Sequence, residues 1–181
     1  MESSVHDPVG HKNNQFRQPS VLNEFLHLLL KIGIIVLIFW FVFSFVFGIY
    51  RVHSIEMKPA IQDGDLVLFY RLSKDPQVSE TVVYQYKGNT YTGRVIAKEG
   101  DVVDIDENGL LINGSYQQES GIYTSTTQFE EGIDFPVTVA QGEVFLLGGN
   151  RPEATDSRIF GCVKESSLLG KVVGFFRRRG I

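Results

Sequence analysis

Three short stretches gather the side chains able to do chemistry. Ser54-Ile55-Glu56-Met57-Lys58-Pro59-Ala60 alternates a hydroxyl, a carboxylate and an amine, and Asp63-Gly64-Asp65-Leu66-Val67 follows it closely. Tyr91-Thr92-Gly93-Arg94-Val95-Ile96-Ala97-Lys98-Glu99-Gly100-Asp101 is the second, and Gly148 to Arg158, ending in Phe160-Gly161, is the third. On an extended strand Ser54 and Glu56 project from one face. A hydroxyl beside an unprotonated amine is the nucleophile–base pair of one class of peptide hydrolysis. Lys58 and Lys98 are the nearest amines, but Lys98 lies five residues after Gly93 and, under strict alternation, faces the other way. A single carboxylate such as Glu56 attacks an amide poorly, and carboxylate-driven peptide hydrolysis normally uses a sharing pair or a metal. Asn150, Arg151, Asp156, Ser157 and Arg158 read as a loop-fixing set of hydrogen bonds and ion pairs. Gly148-Gly149 is not followed by Lys-Ser/Thr, which argues against a phosphate loop. The histidines (His6, His11, His27, His53) have no metal-ligand spacing, and Cys162 is alone, so neither an internal disulfide nor a cysteine-based zinc site is available. No cofactor and no metal are expected.

The elements that must carry these stretches are of two kinds. Lys31 and Arg51 bracket 19 uncharged residues, Ile32–Tyr50, and Leu26 and Leu28–Leu30 extend the apolar character. At 1.5 Å per residue this run spans roughly 28 Å, the thickness of a bilayer's hydrocarbon core. No small-residue cleavage site follows it, so the reading is an uncleaved transmembrane helix at 32–50. The leader is short, and its Lys12, Arg17 and Lys31 give a small excess over Arg51 and Lys58 just after the run, which places the tail, residues 1–31, in the cytoplasm and residues 51–181 outside the cell. After Ser54 the chain reads as β throughout, in short β-branched and aromatic runs separated by turn residues. Asn108-Gly109 and Asn113-Gly114 are turn dipeptides of hairpin type. With 181 residues and a net charge of −4, the chain is long enough for one domain with its own core and lacks the basic footprint of a nucleic-acid binder.

Taken in order after one membrane helix, the three stretches resemble the motifs of type I signal peptidases. Those proteins carry Ser-Met-x-Pro-Thr, Gly-Asp-x-Val, Tyr-x-Lys-Arg-Val-Ile-Gly-x-Pro-Gly-Asp and Gly-Asp-Asn-Arg-x-x-Ser-x-Asp-Ser-Arg-x-Phe-Gly. The resemblance runs from about residue 32 to 176. It implies a membrane-anchored antiparallel β-sheet core interrupted by a small β insertion, here a reduced one at 102–140. Met57, Pro59, Gly64, Asp65, Arg94, Asn150, Arg151, Asp156, Ser157 and Arg158 match the framework. The departures fall on the chemistry. Glu56 occupies the nucleophile's position and Gly93 that of the lysine base, while Ala60, Gly149 and Ala154 replace a Thr, an Asp and a Ser.

The resemblance therefore implies a chain with no catalytic residues and a retained peptide groove, with Ser54, Ile55, Glu56, Met57 and Gly93 as its candidate lining. It extends to the SipA-type signal-peptidase-like proteins of Gram-positive pili, which lack the dyad and assist sortase-dependent polymerisation. On that reading the partners are pilin subunits and a pilus sortase at the membrane, with no nucleic acid. The alternatives are an active signal peptidase with an altered or engineered-out dyad, and a regulator of an active signal peptidase.

Overall fold

The computed structural model describes residues 21–73, 75–118 and 121–177. They fall into two compact units, one ending at Trp40 and one beginning at Phe41. Helix α1, Val21–Phe45, starts in the first and ends in the second. None of its residues is buried by protein, and it is long and apolar enough to cross a membrane.

The expected span at 32–50 requires correction at both ends. The helix begins eleven positions earlier, because Leu22, Phe25, Leu26 and Leu28–Leu30 are already good apolar helix formers and Glu24 sits favourably in the first turn. It also stops at Phe45, and strand β1, Phe47–Arg51, follows. β1 is drawn out of the helix by pairing along its whole length with β2, Leu66–Tyr70, from Phe47↔Tyr70 to Arg51↔Leu66. Composition alone cannot separate an apolar helix end from an apolar strand.

The β-domain is all antiparallel. β1 and β2 join β3 (Thr81–Tyr86), β4 (Asn89–Lys98), β9 (Glu143–Leu147), β10 (Val163–Lys164) and β11 (Leu168–Phe176) in a seven-stranded sheet ordered β1-β2-β11-β3-β4-β9-β10. A second sheet, ordered β7-β6-β5-β8, is built from β5 (Val102–Asp106), β6 (Gly109–Ile112), β7 (Ser115–Tyr116) and β8 (Val137–Thr138). It lies within the 102–140 stretch. Both hairpins form with two-residue loops, but only one falls on the expected dipeptide: Ile112 pairs with Ser115 around Asn113-Gly114, whereas Asp106 pairs with Gly109 around Glu107-Asn108, which puts Gly109 in β6 and the turn one residue earlier than expected. Asn113 and Gly114 take φ of 51° and 76°, the left-handed pair that matches strand twist.

One core cluster joins the two sheets through Ile96, Val103, Ile105, Leu110, Phe145 and Leu147. A second, of Val82, Tyr84, Val95, Val144, Leu146 and Leu168, fills the middle of the large sheet. A third places Val52, Met57 and Ile61 on Val67, Phe69 and Val83, and so seats the first motif on β2 and β3. Each such buried side chain contributes about 1.5–3 kcal/mol. Cys162 packs at the edge of the first cluster, where burial pushes its thiol up to about 11. It should therefore react slowly with thiol reagents at pH 7.5 in the folded protein and fast after denaturation, as a labelling time course would show.

Candidate functional site

The third motif is a rigid knot that positions the first. Asp156 caps the short helix α2, Ser157–Phe160, by accepting from the Arg158 backbone N–H. Its other oxygen accepts the Gly148 N–H at 2.9 Å, and its carboxylate holds the Arg158 guanidinium through bonds of 3.0 and 2.9 Å. Arg158 is fully buried, donates also to the carbonyls of Arg151 (2.7 Å) and Thr127 (3.0 Å), and lies 4.5 Å over the ring of Phe129. The Ser157 hydroxyl accepts the Leu146 N–H at 3.0 Å, and Arg151 donates to Thr126 at 2.8 Å. The 148–158 loop, so fixed, grips the first motif. The Asn150 N–H donates to the Glu56 carbonyl at 2.7 Å, and the Asn150 side chain donates to Ile55 at 3.3 Å.

Gly148 is pressed against Glu56. A Cβ added there would lie 2.7 Å from the Glu56 carbonyl oxygen and would also overlap Ala154. Gly148→Ala should consequently destabilise the β-domain by about 1–3 kcal/mol, measured by denaturant unfolding, and displace the 54–57 segment. At the opposite side of that segment, Gly64 and Asp65 pin Val52 through paired backbone bonds of 2.9 Å. The buried Asp65 carboxylate accepts from the Gln62 N–H and from Arg177.

A cleft of about 570 Å³ opens beside the first motif, lined by Tyr50, His53, Ser54, Ile55, Glu56 and the Gly88–Tyr91 hairpin. Of the expected groove residues, Ser54, Ile55 and Glu56 line it. Met57 does not, because its side chain is 2% exposed in the third core cluster. Gly93 is absent from the lining: a Cβ there would meet the Tyr84 ring at 3.1 Å and Leu146 at 3.5 Å. Arg94 neighbours a different pair of depressions and carries a buried Nε without a partner. The Lys98 ammonium is engaged by Asp75.

Sequence reasoning did not single out the cleft's second wall or the ring that fills the space beside Gly93. β4 pairs with β3 from Asn89 onward but with β9 only from Arg94, so Asn89–Gly93 presents one edge with no strand beside it among the described residues. The Thr90 carbonyl takes the Tyr50 hydroxyl at 2.8 Å. Burial raises the Tyr50 phenol above its usual range, an amide interaction with His53 opposes this, and the charge of Glu56 adds to it. Burial likewise pushes the Tyr84 phenol far up, with the carboxylates of Asp156 and Glu56 contributing next. Only Tyr91, as the first residue of the second motif, carried a signal in the sequence.

The model of the signal peptidase family, peptidase S26, matches residues 25–176. The chain belongs to the signal peptidase family. It is similar to signal peptidase IB of Staphylococcus aureus, at 28% identity over 170 residues covering 82% of this chain and 87% of that protein. It is also similar to the probable chloroplastic thylakoidal processing peptidase 2 of Arabidopsis thaliana, at 29% identity over 136 residues covering 66% of this chain and 35% of that protein. A solved structure of a signal peptidase I from Enterococcus faecalis V583 shares 28% identity, covers 54% of this chain and 96% of that one, and has a TM-score of 0.45.

In this signal peptidase family member the cleft offers two aliphatic hydroxyls, a carboxylate, an imidazole and two phenols, and among the described residues no lysine or arginine lines it. Among the described residues no cluster of three or more His, Cys, Asp or Glu could hold a metal.

Proposed function

We propose that this chain is a non-catalytic signal peptidase family protein, anchored by α1 with its N-terminus in the cytoplasm and its β-domain outside, that holds extended polypeptide clients in the cleft. One observation carries the non-catalytic part: a carboxylate stands at position 56, and position 93 has no side chain and is crowded by the Tyr84 ring, 3.1 Å from where a lysine Cβ would stand. The client part rests on the open Asn89–Gly93 edge beside Ser54–Glu56, a surface suited to adding a strand through main-chain bonds. The resemblance to SipA-type proteins supports a narrower role, assistance to sortase-dependent pilus assembly as chaperone or adaptor, with pilin subunits and a pilus sortase as partners. Anchoring would raise the cleft's effective concentration where clients emerge.

The competing reading, an active signal peptidase, is favoured by the names of the similar proteins, which are those of peptidases. Deleting the gene from its own host separates the two. On the proposed reading, high-molecular-weight pilus polymers are lost from cell-wall immunoblots while preproteins continue to be processed. Accumulation of unprocessed preprotein with pili intact would support the peptidase instead.

A further inference from the structure

Glu56 is 6% exposed, lines the cleft, and its Oε2 has no hydrogen-bond partner. Burial of a carboxylate is costly unless a cation or a set of donors meets it. Among the described residues the ion pairs Lys98–Asp75, Arg158–Asp156, Lys171–Glu80 and Arg177–Asp65 leave Glu56 out. The Ser54 hydroxyl, on the same wall, is a second buried polar atom without a partner. Tyr50 and Tyr91 line the same cleft, and aromatic rings are favourable neighbours for a cation.

We propose that Glu56 and Ser54 form a seat for a primary ammonium group, brought into the cleft by a lysine side chain of the bound polypeptide. An ammonium is a compact charge with three donors. It can give one donor to the carboxylate and another to the hydroxyl, whereas a planar guanidinium fork would engage the two carboxylate oxygens and leave the hydroxyl without a donor. The seat adds a side-chain requirement to the strand-adding surface, and it rests on the client-binding reading for how the lysine arrives. Position 56 thereby selects among clients and reacts with none.

The test uses the full chain in detergent and two kinds of probe. The first is a pair of fluorescein-labelled octapeptides of Ala and Ser with one central residue, either lysine or its uncharged analogue norleucine, read by fluorescence anisotropy. The unaltered chain should bind the lysine peptide about tenfold more tightly, in keeping with a charge-assisted bond. Glu56→Gln should bring the ratio to about one, and Ser54→Ala should reduce it. The second probe is n-butylammonium chloride, with n-butanol as control, read as the thermal midpoint of unfolding. Ligand binding to the native state alone raises that midpoint, so the ammonium should raise it in the unaltered chain and not in Glu56→Gln.

Equal binding of the two peptides, together with no stabilisation by butylammonium, overturns the seat and leaves the client cleft standing. Butylammonium stabilisation that depends on Glu56, with neither peptide bound, supports the seat and overturns polypeptide delivery. No response to either probe overturns both. A lysine preference that survives Glu56→Gln overturns the role of Glu56. If that variant fails to fold, the comparison of lysine with norleucine in the unaltered chain and in Ser54→Ala decides the question.

Discussion

Replacing Asp156 with alanine lowers the stability of the β-domain by about 3–5 kcal/mol, the range measured when one partner of a buried ion pair is removed. Whole domains are stable by only about 5–15 kcal/mol, so a loss of this size brings the protein close to unfolding at physiological temperature. The effect is large because the side chain does several jobs at once. It compensates an Arg158 guanidinium that has no exposure, caps α2, and satisfies the Gly148 N–H. Deleting it leaves a charge and a backbone donor buried without their partner. Asp156→Asn keeps part of the hydrogen bonding and should lose less. Arg158→Met paired with Asp156→Leu removes both charges and should recover part of the loss, since buried pairs can often be exchanged for apolar contacts. Urea unfolding midpoints at constant slope measure all three. A loss below about 1 kcal/mol for Asp156→Ala, the size expected of an exposed pair, would contradict the knot described for the 148–158 loop. Because Asn150 of this loop holds the Glu56 carbonyl, client binding should fall together with stability.

The second large effect concerns chemistry. Incubated with a preprotein, the purified full chain should yield no mature product above background, because loss of the nucleophile from a serine protease costs on the order of 10⁶ in turnover. Glu56→Ser alone should change nothing, since it restores a hydroxyl without a base. Adding Gly93→Lys brings a Cβ to 3.1 Å from a Tyr84 ring that is 1% exposed, stacked on Tyr91 at 5.7 Å and close to Phe160 at 6.5 Å. The ring has little room to move, so the double variant should lose about 1–3 kcal/mol to overpacking and remain inactive. A further Tyr84→Leu change relieves the overlap and is the variant in which cleavage is expected to return. Cleavage by the unaltered chain, abolished by Ser54→Ala, would sink the non-catalytic reading. Cleavage by the double variant with Tyr84 intact would show that the ring yields.

Much of this was legible in the residues. An unbroken apolar run announces a membrane-length helix through composition alone, and alternation between Gly/Asn turns announces strands, because both are properties of neighbours in sequence. Asn113-Gly114 formed its turn for the same reason, since the preference for left-handed backbone belongs to the residues themselves, whereas at Asn108-Gly109 strand pairing set the loop one residue earlier, on Glu107-Asn108. The order of the motifs implied the family, and a matching family model over residues 25–176 shows it. The end of α1 was not legible. Phe47–Tyr50 is apolar in either state, and its pairing with a strand about twenty residues later selected the strand. Met57 sits beside Glu56 in the chain, yet one entered the core and the other the cleft, according to whether Val67 and Phe69 or open space lay opposite. Tyr50 met Thr90 across 40 residues, and Tyr84 took the space beside Gly93 through the β3–β4 register. Local preference sets which elements form. Which side chain fills a space depends on distant segments brought together by burial, and for Glu56 only the tertiary structure decided that a carboxylate would be enclosed with an oxygen still unpaired.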